Sequence, residues 1–296
     1  MTSNYEFEAD LPQLEIVTKS RCAESSGLLP PIEAEPAIAH DRGVDFQILH
    51  MRNENKELIC QLPENSFINY EPKLFLGDLT NHHFALLNKN RVMNHDFFIV
   101  TREFEHQESL LKLRDFQAIS ICLHQFDALV VYNGGNLAGA CEPHKHIHVV
   151  PSPFNRGKAA VPIEAAFGSV QGDGPHIRNA PDLPFQHAFS WLNRDQCSER
   201  LAHPITTYDI YVDLMESLGI RSARTEGMFW QPIAYNLLLT RRWILLIPRT
   251  ARCAQDISID GLSFAGFLMV GNKKELKQAA DIGPMEMLRT VGSERL

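Results

Sequence analysis

The chain has few positive charges, and this shortage limits the partners that it can attract. Its 28 lysines and arginines are outnumbered by 36 aspartates and glutamates, which gives a formal net charge of −8 at pH 7. A surface of this sign does not invite nucleic acid or an anionic membrane, so an anionic ligand needs a local cluster of donors. We therefore expect small molecules as partners, without nucleic acid or membrane.

Two further absences bear on the compartment. The six cysteines include no CxxC pair and no framework spacing, and a chain of this length does not depend on disulfides for its stability. No run approaches the 18 apolar residues of a membrane span, and residues 1–20 lack the apolar stretch of an export signal. These features favour a reducing cytoplasm.

Apolar periodicity predicts strands and helices in an order that differs from a regular βαβ alternation. Strands are expected over 43–51, 74–90, 96–104, 128–135, 145–153, 232–240 and 243–250, and helices near the N terminus, over 105–126, near 206–220 and at the C-terminal end. This order predicts an α+β fold with a mostly antiparallel sheet. We interpret 1–296 as a single domain, with a motif-bearing part at about 60–153, a long insertion at 155–190 and a C-terminal part at about 205–296.

Three histidines at every second position follow a loop of small residues in the stretch GGNLAGACEPHKHIHVVPSPF, 134–154. In a strand, His144, His146 and His148 share one face, and Lys145 points to the other. Such a row has three interpretations: chance packing, a zinc site, or a nucleophilic histidine flanked by phosphate-contacting ones. The small loop residues favour the third, because they let the backbone approach a ligand, which a zinc site does not need.

The chain resembles a known family in three segments that occur in the same order. These segments are 85–107 (ALLNKNRVMNHDFFIVTREFEHQ), 130–153 and 233–249 (IAYNLLLTRRWILLIPR). The triad after a small-residue loop resembles the histidine-triad superfamily, and the three segments together resemble the diadenosine tetraphosphate phosphorylases, also called ATP adenylyltransferases. The resemblance covers most of residues 40–290 and implies a histidine-triad-like fold with flanking helices.

The resemblance also implies roles for individual residues. His146 matches the nucleophile that takes an adenylyl group, and His144 and His148 match the members that orient it and contact phosphate. The residues expected to bind substrate are Asn88, Lys89, Asn133, Gly134, Gly139, Ala140, Cys141 and Glu142, together with Lys273 as a further candidate cation. No residue is expected to hold a resident metal, although Mg²⁺ can accompany the substrate.

The chain departs from the family pattern at three places. Asn90 stands where an aromatic residue follows the Asn-Lys pair, Cys141 and Glu142 replace Ser-Gln, and His148 stands where fungal enzymes commonly have Gln. A carboxylate beside polyphosphate weakens anion binding, so we expect Glu142 to turn aside or to pair with a cation such as Lys89.

The expected activity is phosphorolysis of diadenosine tetraphosphate to ADP and ATP through an adenylyl-histidine. The alternatives are a histidine-triad hydrolase, an adenosine phosphosulfate sulfurylase, and a nucleotide-binding sensor without turnover. A phosphorylase needs a second anion pocket, for which the candidate cations are Lys89, Lys145, Arg241, Arg242 and Lys273. All but Lys89 are expected to be solvated surface charges, and His82 and His83 are expected to be a turn or surface pair.

Overall fold

The computed structural model describes residues 11–29, 37–50, 67–153, 160–168, 176–192, 203–221, 223–225 and 228–294. Its helices are α1 (Gln13–Ser25), α2 (Leu113–Gln125), α3 (Pro204–Ser217), α4 (Gly261–Ala265), α5 (Lys273–Ile282) and α6 (Pro284–Val291). Its strands are β1 (Ala37–Asp41), β2 (Val44–His50), β3 (Phe75–Thr80), β4 (His83–Leu87), β5 (Phe97–Thr101), β6 (Ala128–Gly134), β7 (His146–Pro151), β8 (Ala188–Trp191), β9 (Ala223–Thr225), β10 (Met228–Trp230), β11 (Tyr235–Leu239), β12 (Trp243–Pro248), β13 (Cys253–Ala254), β14 (Ile257–Ser258) and β15 (Phe267–Val270).

An eight-stranded sheet forms the centre of the fold, in the order β3-β4-β5-β7-β6-β11-β12-β8. Every neighbouring pair in it is antiparallel. The sheet takes strands from both halves of the chain, because β6 pairs with β11 through the register Asn133↔Asn236. The predicted α+β class with a mostly antiparallel sheet is confirmed.

Each face of this sheet packs against its own hydrophobic core. Along β6, Val130 and Tyr132 belong to one core, and Leu129 and Val131 belong to the other. Strand alternation produces this division, since successive side chains point to opposite faces. Helices α1, α2 and α3 cover the first face, whereas α4, α6 and the sheet β1-β2-β15 contribute to the second.

Two predicted elements differ from the observed ones. The stretch 74–90 was expected to form one strand, but it folds back as the hairpin β3 and β4, with Asn81 and His82 in the turn. The helix expected over 105–126 begins at Leu113, because the Asp115 carboxylate accepts a hydrogen bond from Lys112 N at 2.7 Å and caps it there. The preceding residues 105–112 are thereby kept out of the helix and lie beside β7.

Membrane-spanning helices are absent from the part of the chain that the structure describes. No helix there combines the length and the apolar character that crossing a bilayer requires.

Candidate active site

A cavity of about 430 Å³ opens beside the histidine row, with Val131, Asn133, His146 and His148 on its wall. Its volume is in the range of small-molecule sites. The predicted site residues that line it are Asn88, Lys89, Asn133, Gly139, Ala140, Cys141, Glu142, His146 and His148. His144, Gly134 and Lys273 do not line it. Lys273 is exposed at the start of α5, so its predicted role as a cation of this cavity is not supported.

His146 presents one ring nitrogen to the cavity and uses the other internally. Its Nδ1 donates a hydrogen bond to the carbonyl oxygen of His144 at 2.8 Å. The Nε2 atom has no hydrogen-bond partner among the described residues. Phe67 and Phe98 pack on the ring, with centroid distances of 4.9 and 5.2 Å. Burial lowers the pKa of His146 to about 4, so the ring is neutral at physiological pH and its Nε2 lone pair is available.

The two flanking histidines have different partners. His144 is buried and donates from Nε2 to the carbonyl oxygen of Thr101 at 2.7 Å, and burial lowers its pKa. Its carbonyl oxygen accepts the hydrogen bond from His146 Nδ1. His148 donates from Nε2 to the carboxylate of Asp96 at 2.8 Å and lies on the cavity wall.

Gln107 fixes the backbone of β7 at His146, and no sequence pattern indicated this role beyond its place at the end of a family-like segment. Its Oε1 accepts from His146 N at 2.8 Å, and its Nε2 donates to Asn133 O at 2.8 Å and to His146 O at 3.1 Å. The side chain is 2% exposed. One amide thus ties β6 to β7 where both meet the cavity.

The small-residue loop between β6 and β7 is held by a buried polar network. Asn133 Oδ1 accepts from Gly261 N at 2.9 Å and from Asn236 Nδ2 at 2.8 Å. Asn236 in turn donates to Ala138 O and accepts from Arg249, whose pKa burial lowers to about 10. Asn133 therefore anchors the loop to the N terminus of α4 as well as lining the cavity.

Two glycines of the loop are explained by close packing. Gly139 has φ +98°, and a Cβ there would lie 2.7 Å from the Cβ of Asp260. Gly134 lies in β6, where a Cβ would lie 2.6 Å from Gln231 Oε1. Gly139 lines the cavity, and Gly134, which was also predicted to bind substrate, does not.

The two residues of the Asn-Lys pair differ in exposure: Asn88 is buried and Lys89 is exposed. Asn88 is buried, donates from Nδ2 to Asp96 Oδ2 at 2.9 Å and accepts from Asn90 N at 2.9 Å. Both ends of its amide are therefore used to shape the turn after β4. Lys89 is exposed and lines the cavity mouth, so it is the member of the pair whose charge is available to a phosphate.

Glu142 and Cys141 both lie on the cavity wall. Glu142 is 6% exposed, so of the two expected arrangements it does not turn aside into solvent; pairing with a cation stays a prediction. The Cys141 sulfur lies 2.9 Å from Arg252 Nη2, which donates to it. Arg252 also donates to Ala140 O at 3.0 Å and so braces the loop.

Lys145 and His83 are buried, contrary to the surface positions expected for them. Lys145 is 1% exposed and its Nζ lies 3.2 Å from Asp115 Oδ2. His83 is fully buried and lies 2.8 Å from Asp115 Oδ1. This ion cluster sits on the opposite face of the sheet from the histidine row, as strand alternation predicts for Lys145. Arg241 and Arg242 connect β11 to β12 and do not line the cavity.

Each of the three triad rings uses one nitrogen on a different partner within the protein: Thr101, the His144 carbonyl group and Asp96. Within the described residues, no group of three or more His, Cys, Asp or Glu side chains is placed to hold a metal ion. The geometry instead offers a neutral nucleophilic nitrogen beside a loop of backbone groups in a nucleotide-sized cavity.

Two family models match the chain and together span most of it. Residues 3–169 match the model described as the Ap4A phosphorylase N-terminal domain. Residues 181–294 match the model described as the ATP adenylyltransferase C-terminal domain. Ap4A stands for diadenosine tetraphosphate.

Individual proteins of Saccharomyces cerevisiae are also similar. The chain is 26% identical over 243 residues to diadenosine 5',5'''-P1,P4-tetraphosphate phosphorylase 2, covering 74% of this chain and 72% of that protein. It is 22% identical over 205 residues to Protein APA1, covering 63% of this chain and 61% of that protein.

Solved structures of yeast Ap4A phosphorylase Apa2 have the same fold. One superposes with a TM-score of 0.80 at 20% identity, covering 97% of this chain and 96% of that chain. A second, in complex with Ap4A, gives a TM-score of 0.79 at 20% identity and covers 97% of this chain and 99% of that chain.

Proposed function

Since the chain belongs to the family of Ap4A phosphorylases and ATP adenylyltransferases, we propose that it cleaves diadenosine tetraphosphate with inorganic phosphate to give ADP and ATP. The family match over residues 3–169 and 181–294 supports this activity. The observation that carries the mechanism is the neutral ring of His146, whose Nε2 is unbonded at the cavity. The hydrolase, sulfurylase and sensor alternatives have no comparable observation in their favour.

The first step transfers an adenylyl group to His146. The Nε2 lone pair attacks the α-phosphorus, a P–N bond forms, and the P–O bond to the remaining ATP breaks. The Nδ1–H remains hydrogen-bonded to the carbonyl oxygen of His144, and this bond stabilises the positive charge that the ring gains. The loop with Gly139 and Ala140 brings backbone close to the phosphates.

The second step returns the adenylyl group to inorganic phosphate. A phosphate oxygen attacks the same phosphorus, the P–N bond breaks, and ADP leaves with the His146 ring neutral again. Among the described residues that line the cavity, Lys89 is the one lysine or arginine, so we assign it the role of binding the phosphate groups. Its exposed position at the mouth suits an entering phosphate.

Magnesium is proposed to enter with the substrate. The described wall carries Glu71, Glu142 and Asp260 against Lys89, so the polyphosphate meets more negative than positive side chains. A hydrated Mg²⁺ on the polyphosphate lowers this repulsion without a dedicated protein cage. The expected result is that Mg²⁺ lowers the KM for diadenosine tetraphosphate, while elemental analysis of the purified protein finds no stoichiometric zinc.

One assay tests the proposed function. The protein is incubated with diadenosine tetraphosphate, with and without inorganic phosphate, and the nucleotides are separated by ion-exchange chromatography. A phosphorylase yields ADP and ATP and depends on phosphate. Formation of AMP and ATP at the same rate without phosphate would establish hydrolysis instead, and tight binding without any product would establish a sensor.

A further inference from the structure

Asp96 places a buried carboxylate behind the third histidine of the triad. It directly precedes β5, is 1% exposed, and its Oδ2 accepts a hydrogen bond from His148 Nε2 at 2.8 Å. The roles taken from the family pattern do not include this residue. The two histidines therefore have different partners: His148 donates to a carboxylate, whereas His146 donates to a neutral backbone carbonyl group.

The other contacts of Asp96 are neutral. Asn88 Nδ2 donates to Oδ2 at 2.9 Å and Val92 N at 3.3 Å. Within the described residues the Oδ1 atom is buried without a hydrogen-bond partner, and His148 is the ionisable side chain that is hydrogen-bonded to the carboxylate; the preceding His95 interacts with it through charge alone. A buried negative charge is costly unless an opposite charge compensates it. The His148 ring is positioned to provide that compensation.

The second nitrogen of His148 is available to a ligand. Its Nδ1 makes no hydrogen bond to the described residues, and the ring lines the cavity. Phosphate oxygens only accept hydrogen bonds when they are ionised. To bond one of them, Nδ1 must carry a hydrogen while Nε2 keeps its own on Asp96, and the ring is then an imidazolium.

We propose that Asp96 is a positioning residue that holds His148 as a cationic hydrogen-bond donor to the polyphosphate of the substrate. One strand then carries two histidines with divided roles: His146 stays neutral and attacks, and His148 binds as a cation. A glutamine at position 148 would donate without charge, so this pair adds a positive charge to a wall that is otherwise acidic. The identity of the ligand rests on the proposed function.

The test is a double-mutant cycle on ATP binding, measured by calorimetry at fixed salt. The variants are Asp96→Asn, His148→Gln and the double variant. Each single substitution is expected to weaken ATP binding by about tenfold, the size of one charge-assisted contact. The double variant is expected to bind as weakly as His148→Gln and no more so, because Asp96 acts through that ring. Unchanged binding in Asp96→Asn, or losses that multiply in the double variant, would overturn the proposal.

A matched pair on the other face of the sheet controls for structural damage. His83 and Asp115 also lie 2.8 Å apart and are buried, but they do not line the cavity. His83→Gln is expected to lower Tm while leaving ATP affinity unchanged. A similar loss of affinity in His83→Gln would mean that the effect of Asp96→Asn reflects general destabilisation, which also overturns the proposal.

Two features keep the result decisive. If Asp96→Asn alone does not fold, the comparison of His148→Gln with the double variant remains: equal ATP affinity supports the proposal, and a further loss above about threefold in the double variant contradicts it. ATP binding needs no turnover. A wild-type protein that fails to phosphorolyse diadenosine tetraphosphate would therefore refute the proposed function and leave the cycle interpretable.

Discussion

The Nδ1 atom of His146 lies 2.8 Å from the carbonyl oxygen of His144, two residues earlier in the chain. A carbonyl oxygen only accepts, so the ring proton is fixed on Nδ1 and the lone pair on Nε2. The first histidine of the row therefore sets the tautomer of the second through its backbone, while its own ring is held by Thr101. This arrangement leaves the lone pair on Nε2, as the proposed attack requires.

His146→Ala is expected to abolish turnover while preserving the fold and nucleotide binding. The substitution removes the nucleophile but keeps the backbone bond from His146 N to Gln107. The rate should fall by well over a hundredfold, with smaller losses for substitutions of His144 or His148. Steady-state assays with circular dichroism check this, and the exposed His82→Ala serves as control. Retention of more than about a hundredth of the rate would refute the assignment.

The pH profile of kcat/KM should report the unusual state of His146. Attack requires the unprotonated ring, and burial lowers its pKa to about 4 from the ordinary 6.5. Activity should therefore persist as pH falls through 6.5 and decline only toward 4, as long as the protein stays folded. Phe67→Ala exposes the ring and should move this decline upward. A wild-type decline centred at or above 6.5 would contradict the assignment.

Glu142→Gln is expected to lower kcat/KM modestly. The carboxylate is buried in the cavity wall and has an interaction partner within the protein, which the substitution weakens. The change in kcat/KM should stay below about tenfold, or less than ~1.4 kcal/mol. Glu71→Gln is the matched control, because that carboxylate is exposed at the same cavity and screened by water. A loss as large as that of His146→Ala would place Glu142 among the catalytic residues.

The sequence predicted those features that depend on local periodicity. Alternation along β7 placed His146 and His148 on one face and Lys145 on the other, and the structure confirms this division. A helix within 105–126 and the hairpin joined by Arg241 and Arg242 were likewise expected from apolar spacing and turn residues, although the helix begins only at Leu113. Each of these features is determined by residues close together in the chain.

The features that the sequence could not predict depend on contacts between distant segments. Asp96 and His148 are 52 positions apart, and Asp115 and Lys145 are 30 apart, so no local pattern indicates either pair. Lys145 was expected at the surface because lysine is rarely buried. Only the packing of α2 against the sheet reveals the carboxylate that compensates it.

Lys145→Met is expected to destabilise the fold by about 3–5 kcal/mol, because it removes the buried cation that is paired with Asp115 and Glu105. Burial raises the pKa of Asp115, but the hydrogen bond from His83 and the charge of Lys145 outweigh this effect and lower the pKa to about 2. This stabilisation is complete above the ordinary carboxyl pKa near 4 and is lost as pH falls toward 2. Urea unfolding should therefore show a large difference at pH 7 that shrinks at acidic pH.

The surface variant Lys274→Met controls for the loss of a lysine as such. Its ion pair with Asp256 is exposed, with a lysine side chain that is 83% accessible. Its stability should match that of the wild type. A Lys145→Met protein as stable as Lys274→Met would show that the buried cluster contributes little.

Gln107→Leu is expected to lower kcat by about ten- to a hundredfold with little change in KM. The amide joins Asn133 O to His146 N and O but does not line the cavity, so its loss displaces the nucleophile without removing a substrate contact. A shift of about 1 Å at a reacting atom can cost a hundredfold in rate. Gln231→Leu is the matched control, because Gln231 donates to Gly134 O in β6 at 2.6 Å and makes no hydrogen bond to the triad among the residues that the structure describes. Single-turnover rates of both variants check the prediction. Equal rates in the two would mean that the bond to His146 does not position the nucleophile, and a rise in KM alone would mean that Gln107 acts on substrate binding.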